Sequence, residues 1–429
     1  MKPENYDRYL TTLKEELVPA FGCTEPIAIA YAAAKARELL GTLPDRIEVQ
    51  ASGSIIKNVK SVIVPNTGHM KGTEAACAAG VIAGDADAAL EVLTGIREDQ
   101  IPDIRDYMES VPITVSALTD GPVFNLIVSA YAKDESAKVQ ITDHHTQIVL
   151  MEKNGKTIFQ AASKNCTQAA SGGCTQTADR SWMNVEGIWE FVEALDVFDV
   201  SELFDRVISC NMAIAEEGLQ GNYGANVGST LLNAYGDGMY NRAKAYAAAG
   251  SDARMDGCEL PVYINSGSGN QGIVCSVPVI ICARELGVSR EKLYRALALS
   301  NLIAIHEKTG IGTLSAYCGA VSAGAAAGAA IAYLSDGGYK AVTHTIVNAV
   351  AIDSGMICDG AKASCAAKIA SAVDAGIFGY LMYKNGQQFL GGDGIVVKGV
   401  ENTIRNVGRL GRDGMRGTNE EIIRMMTGE

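Results

Sequence analysis

Three cysteines in the C-terminal part of the chain have the type and spacing of metal ligands. Cys318 stands alone, whereas Cys358 and Cys365 enclose the segment Cys358-Asp-Gly-Ala-Lys-Ala-Ser-Cys365. Thiolates hold iron–sulfur clusters, and a cubane cluster with only three protein thiolates leaves one iron open. An open metal position can bind and polarise a substrate. The trio therefore indicates a catalytic cluster rather than an electron carrier.

The same three residues also fit plain core packing. Cys358 and Cys365 are separated by two helical turns and would share one helix face, where a buried thiol acts as a small hydrophobic group. Asp359-Gly360 would instead break a helix after Cys358 and let that thiol turn toward a ligand. Spacing alone leaves both interpretations open.

Cys23 is a separate candidate, because it precedes a predicted helix start. In Phe21-Gly-Cys-Thr-Glu-Pro26, Thr24 suits an N-cap and Pro26 suits the first helical turn. The N-terminus of a helix stabilises a thiolate, which could then act as a nucleophile or a base. The alternative is that Cys23 only fills a turn.

A glycine-rich turn follows the extended segment 260–264 and precedes the helical run 273–286. Its amides could bind a small carboxylate, and it matches neither a dinucleotide fingerprint nor a Walker A loop. The alternative is an ordinary helix cap. A second polar loop at Asn66, Thr67 and Gly68 could complete a carboxylate or ammonium pocket. The candidate binding residues of the glycine-rich turn are Ser266, Gly267, Ser268, Gly269, Asn270 and Gln271.

Other cofactor sites find weaker support. Lys308 could form a Schiff base, but no companion pattern for pyridoxal phosphate accompanies it, so that cofactor is not expected. The sequence has no H-E-x-x-H motif and no paired C-x-x-C knuckles, which disfavours zinc. Most of the eleven cysteines are expected to be packing residues.

Composition bounds the protein's class and partners. With 429 residues, of which 48% are hydrophobic, the chain can bury a sizeable core in two to three domains. The net charge of −13 argues against nucleic-acid and anionic-membrane partners. The N-terminus has no apolar signal core, and the apolar run 316–333 consists of Ala and Gly, which predicts a buried helix. We expect a cytoplasmic protein with a small-molecule substrate and leave open a homo-oligomer.

The pattern of elements predicts an α+β fold. Helices are expected over 5–19 and 26–40, and strands over 46–51, 59–64, 113–118, 124–130, 138–141 and 147–151. The predicted organisation has N-terminal helices in 1–45 that pack on the helical domain, a mostly antiparallel sheet domain in 46–160, a linker or mobile loop in 161–182, and an Ala/Gly-rich helical cluster-binding domain in 183–429.

Together these segments resemble the L-cysteine desulfidase family, a branch of the iron–sulfur L-serine dehydratases. The resemblance runs over nearly the whole chain. It rests on Phe21-Gly-Cys-Thr-Glu-Pro26, Pro65-Asn-Thr-Gly68, Glu217-Gly-Leu-Gln-Gly221, Ser266-Gly-Ser-Gly-Asn-Gln-Gly272 and the three late cysteines. It implies that Cys318, Cys358 and Cys365 bind a [4Fe–4S] cluster, and that Cys23 is the base.

The resemblance also implies a reaction. L-Cysteine would undergo β-elimination to pyruvate, ammonia and hydrogen sulfide, with the glycine-rich turn and Asn66-Thr67-Gly68 holding the amino acid. L-Serine would lose water by the same steps. A rival of another class is a non-catalytic iron–sulfur binding or sensor protein, and a second rival is a metal-free protein whose cysteines only pack.

Overall fold

A computed structural model describes residues 1–118, 121–161, 180–312 and 314–427. The helices, in chain order, are α1 Pro3–Glu16, α2 Thr24–Leu40, α3 Gly53–Val59, α4 Gly72–Ala83, α5 Ile101–Ser110, α6 Val185–Ala194, α7 Ser201–Gln220, α8 Val227–Tyr235, α9 Met239–Met255, α10 Gly269–Leu286, α11 Arg290–Ile311, α12 Gly319–Leu334, α13 Tyr339–Asp353, α14 Ser364–Lys384, α15 Val400–Arg409 and α16 Arg416–Thr427. The strands are β1 Pro19–Phe21, β2 Arg46–Ser52, β3 Ile113–Leu118, β4 Asn125–Ala132, β5 Glu135–Thr142, β6 Ile148–Lys153, β7 Lys156–Gln160 and β8 Pro261–Tyr263.

The larger sheet confirms the predicted α+β class. Its strand order is β3-β2-β4-β5-β6-β7. The pair β2–β3 is parallel, and the other neighbouring pairs are antiparallel. Asn154-Gly155 joins β6 to β7 with positive φ angles of 52° and 73°, which two-residue hairpin turns require. The sheet is therefore mostly antiparallel, as the alternating apolar pattern predicts.

One compact unit contains this sheet and comprises Thr24–Trp182 and Ile423–Glu429. Here the structure differs from the predicted division, which assigned residues 1–45 to the helical domain. Helix α2 packs instead on β4, β5 and α4, because its many alanines are buried on nearly every side. An all-round apolar helix has to be enclosed by neighbours, and the sheet provides them.

The other unit comprises Met1–Cys23 and Met183–Ile422 and is helical apart from the antiparallel pair β1–β8. Helix α1 joins it as expected, with Tyr6 and Tyr9 packed on the ring of Phe191 in α6. Helices α12 and α14 approach so closely that a β-carbon on Gly324 would lie 2.3 Å from the carbonyl oxygen of Ala372. Small residues in the apolar run 316–333 thus serve helix packing.

The strand expected over 59–64 was wrong. Residues 53–59 form α3 immediately after β2, and Val62 and Val64 are buried in a loop. The Val64 amide donates to the carbonyl of Met70 at 2.9 Å and closes that loop. The β-branched residues therefore reflect burial, which periodicity over so short a run cannot distinguish from a strand. The linker predicted over 161–182 lies largely outside the described residues.

Within the described residues, one helix is long and apolar enough to cross a membrane by length and composition. This helix is α14, and more than half of its most apolar window is buried inside the protein. It packs against α9, α12 and α13, as a core helix of the helical unit does.

Candidate functional site

The first two cysteines of the trio lie on paired segments of chain. Cys318 is the N-cap of α12, and Cys358 lies in the loop between α13 and α14. The Cys318 amide donates to the carbonyl of Met356 at 3.1 Å, and the Cys358 amide donates to the carbonyl of Ala316 at 2.6 Å. These two bonds flank an antiparallel bridge and hold the loop against the start of α12.

Cys365 belongs to the first turn of α14, so Cys358 and Cys365 do not share a helix face. The chain turns between them at Gly360, whose φ is 95°. The Cys365 thiol donates to the Gly360 carbonyl at 3.6 Å. Helix α13 ends at Asp353 and α14 begins only at Ser364, so Cys358 lies on no helix. The predicted helix break is therefore present but comes before Cys358 rather than directly after it, and the helical-face alternative is wrong.

Two lysines fix the loop that carries Cys358. Lys368 donates to the carbonyl of Ile357 at 2.8 Å, and Lys362 donates to the carbonyl of Asp359 at 3.0 Å. Both ammonium groups also pair with the Asp359 carboxylate, and they hold its pKa down to about 2 against the opposing effect of burial. The loop thus has a fixed conformation and positive charge beside the thiols.

The three thiols influence one another electrostatically. Burial raises the pKa of Cys318, and charge on Cys358 and Cys365 adds to the rise, to about 12 in all, while Lys368 opposes it. Burial also raises the pKa of Cys365, with Cys358 adding to the effect. Three neighbouring, partly buried cysteines could all be thiolates only beside a cation, and metal binding displaces their protons.

The donor set of the trio is three thiols. Within the described ranges, no group of three or more His, Cys, Asp or Glu side chains, this trio included, is arranged to hold a metal ion. A cubane spreads its protein ligands over separate irons and uses thiolates alone. The fixed loop, the neighbouring lysines and the mutual charge effects of the thiols fit a cluster held by Cys318, Cys358 and Cys365.

The glycine-rich turn has the strand–turn–helix arrangement that the sequence predicts. After β8, Asn265 and Ser268 exchange backbone hydrogen bonds of 3.1 and 3.0 Å. Ser266 and Gly267 adopt positive φ angles of 50° and 75° between them. Ser268 then caps α10, its hydroxyl accepting from the Gln271 amide at 3.4 Å. The first amides of α10 consequently face the turn.

Gln271 connects this turn to the cysteine trio. A β-carbon on Gly319 would lie 2.7 to 2.9 Å from the terminal atoms of the Gln271 side chain, and Gly319 directly follows Cys318. Gln271 is buried, and its Oε1 has no hydrogen-bond donor among the described groups. The Oδ1 of Asn270 likewise has no described donor. Two buried acceptors therefore lie at the start of α10.

Cys23 is buried at the end of the β1 segment and is followed directly by α2. The preceding Gly22 has a φ of 69° and accepts a 3.2 Å hydrogen bond from the Nε of Arg254. Arg254 lies near the end of α9 and also contacts Gly269, the first residue of α10. Arg254 thus connects the Cys23 segment to the glycine-rich turn within the helical unit.

Our reading of the sequence missed Arg254. The sequence of α9 gave no clear signal, because Arg254 is one of four charged residues along that helix. Asp252 has a structural role: its carboxylate accepts from the Val227 amide at 2.6 Å and caps α8. The segment from Gly221 to Asn226, which follows the Glu217-Gly-Leu-Gln motif, connects α7 to α8.

The second predicted binding loop lies in the sheet unit. The Thr67 hydroxyl donates to the carbonyl of Val64 at 2.7 Å, and the Asn66 amide donates to the carbonyl of Leu93 at 2.8 Å. Asn66 and Gly68 have positive φ angles of 57° and 65°. The side chains of Asn66 and Thr67 therefore stabilise a turn of the sheet unit. Substrate binding by Asn66, Thr67 and Gly68 stays a prediction.

Comparison with known proteins gives a consistent result. Residues 124–424 match the family described as the serine dehydratase alpha chain. A UPF0597 protein of Desulfitobacterium hafniense is 56% identical over 421 residues, covering 98% of this chain and 96% of that protein. UPF0597 proteins of Lachnoclostridium phytofermentans and Treponema denticola are 48% and 46% identical, each over 98% of this chain and over 99% and 98% of their own lengths.

Proposed function

This chain belongs to the serine dehydratase alpha-chain family, a family of dehydratase-like lyases, and from that premise we propose iron–sulfur-dependent β-elimination of L-cysteine. The products would be pyruvate, ammonia and hydrogen sulfide. The motifs that resemble L-cysteine desulfidases support the substrate. The family membership supports the reaction class and amino-acid catabolism.

One observation carries the proposal. The Gln271 side chain lies against Gly319, beside Cys318, so the candidate amino-acid turn and the candidate cluster ligands are neighbours in one unit. Their proximity allows an amino acid bound at the start of α10 to reach the cysteine trio.

Cys318, Cys358 and Cys365 would hold the [4Fe–4S] cluster. When bound, the cluster supplies a Lewis-acidic iron that lacks a protein ligand. Lys362 and Lys368 keep the Cys358 loop fixed through carbonyl bonds, and their charge offsets that of the thiolates. No pyridoxal phosphate is required in this scheme.

The Cys23 thiolate is the proposed base. It removes the α-proton of the substrate, and the released electron pair forms the Cα–Cβ double bond while the Cβ–S bond breaks and sulfide leaves. The aminoacrylate then tautomerises to an imine, which water hydrolyses to pyruvate and ammonium. A positioned base contributes about 10²- to 10⁴-fold to such proton transfers.

L-Serine is the second candidate substrate, because the matching family is described by serine dehydration. The same removal of the α-proton would then expel water from the β-carbon. We further propose a soluble, cytoplasmic enzyme, which the burial of α14 among other helices supports.

Anaerobic reconstitution with iron and sulfide, followed by parallel assays on L-cysteine and L-serine, tests the function. We expect pyruvate from at least one of them and faster turnover of L-cysteine. Cys23→Ala should keep its iron and lose about 10²- to 10⁴-fold in rate, whereas Cys282→Ala, a buried thiol within α10, should keep both. A reconstituted protein that turns over neither amino acid would favour the sensor alternative.

A further inference from the structure

Arg254 is a buried cation whose hydrogen-bonding capacity is largely unused. The side chain is only 3% exposed. Its Nε donates to the carbonyl of Gly22, and this is the guanidinium's one hydrogen bond to any described residue. A guanidinium has five N–H donors and stays charged at all physiological pH values. Burying such a group without an anionic or polar partner is costly, so this position calls for an acceptor.

The guanidinium lies at the start of a long helix. A β-carbon on Gly269 would be 2.3 Å from the Arg254 Nε and 2.8 Å from its Cζ, so only glycine lets the cation reach this point. The first amides of a helix have no partners within it, and those of Gly269 and Asn270 donate to no described group. Amides, helix dipole and guanidinium together favour an anion.

Acceptors without donors occur at the same place. The Oε1 of Gln271 and the Oδ1 of Asn270 are buried and lack hydrogen-bond donors among described residues. Gln271 itself is 5% exposed. Donors that could bind an anion therefore lie next to acceptors that could bind a cation. A zwitterion carries both charges and would satisfy both sets of groups.

We propose that Arg254 and the first amides of α10 bind the α-carboxylate of the substrate, while the carbonyl oxygens of Asn270 and Gln271 accept hydrogen bonds from its α-ammonium. The inference rests on the proposed amino-acid lyase function and specifies it. The site takes free α-amino acids and rejects esters and decarboxylated amines. It also sets the orientation, because Gln271 lies on the Cys318 side and Gly22 leads to Cys23.

Steady-state kinetics on the reconstituted enzyme form the first arm of the test. Arg254→Gln should raise the KM for L-cysteine about 10- to 100-fold, the usual effect of losing hydrogen bonds to a charged group. Arg254→Lys should lose less, because it keeps the charge without the fork geometry. Arg254→Gln should also lose the preference for L-cysteine over its methyl ester. A merely structural defect would slow both substrates equally, and that result would overturn the inference.

Calorimetric binding of L-alanine, which has no β leaving group, forms the second arm and does not depend on turnover. Wild type and Arg284→Gln, a half-exposed arginine at the far end of α10, should bind it, and Arg254→Gln should not. If Arg254→Gln fails to fold, Arg254→Lys takes its place and should bind L-alanine more weakly than wild type. Equal binding by wild type and the Arg254 variant overturns the carboxylate site even if the lyase activity is present. If Arg254→Gln loses L-alanine binding and the wild-type protein shows no turnover, the carboxylate site is upheld and only the proposed lyase function is rejected.

Discussion

Arg254 lies so close to Gly269 that a β-carbon at position 269 would be 2.3 Å from its Nε. Gly269→Ala must therefore displace the guanidinium from the start of α10. We expect a rise of about 10-fold or more in the KM for L-cysteine, since charged hydrogen bonds are lost, with iron content unchanged. Steady-state kinetics and iron analysis of the reconstituted variant measure both.

Gly238→Ala is the matched control for that substitution. Nothing lies within 4 Å of the position its β-carbon would occupy, and the residue precedes α9 in the same unit. Its kinetics should equal those of wild type. If Gly269→Ala also keeps the wild-type KM, the guanidinium does not need its present position for substrate binding.

Gln271 offers a test that separates stability from function. An unpaired buried carbonyl costs a protein about 1–3 kcal/mol, so Gln271→Met should leave the unfolding free energy unchanged or raise it. The same change should weaken substrate binding, because an acceptor for the ammonium is gone. Urea unfolding and steady-state kinetics measure the two effects.

Asn211→Leu provides the contrast. Its amide donates to the Tyr263 carbonyl and the Ser276 hydroxyl, and its oxygen accepts from the Tyr263 amide. Removing a fully bonded buried amide should cost about 1–3 kcal/mol of stability. Should Gln271→Met lose as much as Asn211→Leu, the Gln271 carbonyl has a structural partner and is no ligand group.

Glu307 predicts an unusual pH dependence of stability. It is buried in α11, neither carboxyl oxygen has a hydrogen bond to a described group, and burial raises its pKa well above the ordinary 4.5. The charged or titratable groups around it are Glu401 of α15, Cys275 of α10 and Tyr317 before α12.

Because the folded state holds this proton more tightly than the unfolded state, the stabilisation is complete below pH 4.5 and declines as pH rises toward the folded pKa. Glu307→Gln lacks that decline. The melting temperature of Glu307→Gln relative to wild type should therefore increase as the pH rises above 4.5. A constant or decreasing difference would mean that Glu307 is ionised and paired.

Much of the fold could be predicted from the sequence, because local signals were strong. The alternating strands of the sheet and the Asn154-Gly155 hairpin follow directly from period and turn chemistry. The assignment of α2 to the sheet unit could not be predicted, because a helix with alanines on nearly every side has no single apolar face that identifies its neighbours. The loop at 59–64 was misread because burial and strand pairing select the same β-branched residues.

Only part of the candidate site could likewise be predicted from the sequence. The cysteines and the glycine-rich turn carry residue types and spacings that point to chemistry on their own. Arg254 does not, because a single arginine in a helix is ordinary and only its packing against Gly269 gives it meaning. The adjacency of Gln271 and Gly319 is likewise a tertiary contact that no local pattern encodes.

The most direct test of the account is the iron and acid-labile sulfide content of anaerobically reconstituted protein. Wild type should contain about four irons and four sulfides per chain, as a [4Fe–4S] cluster requires. Alanine variants of the three proposed ligands, Cys318→Ala, Cys358→Ala and Cys365→Ala, should each retain far less iron than wild type. Disturbing a metal site lowers its affinity for the metal by at least about 10- to 100-fold. Cys282→Ala should load fully. Full loading of any of the three variants, or a wild type that takes up no iron, would contradict the account.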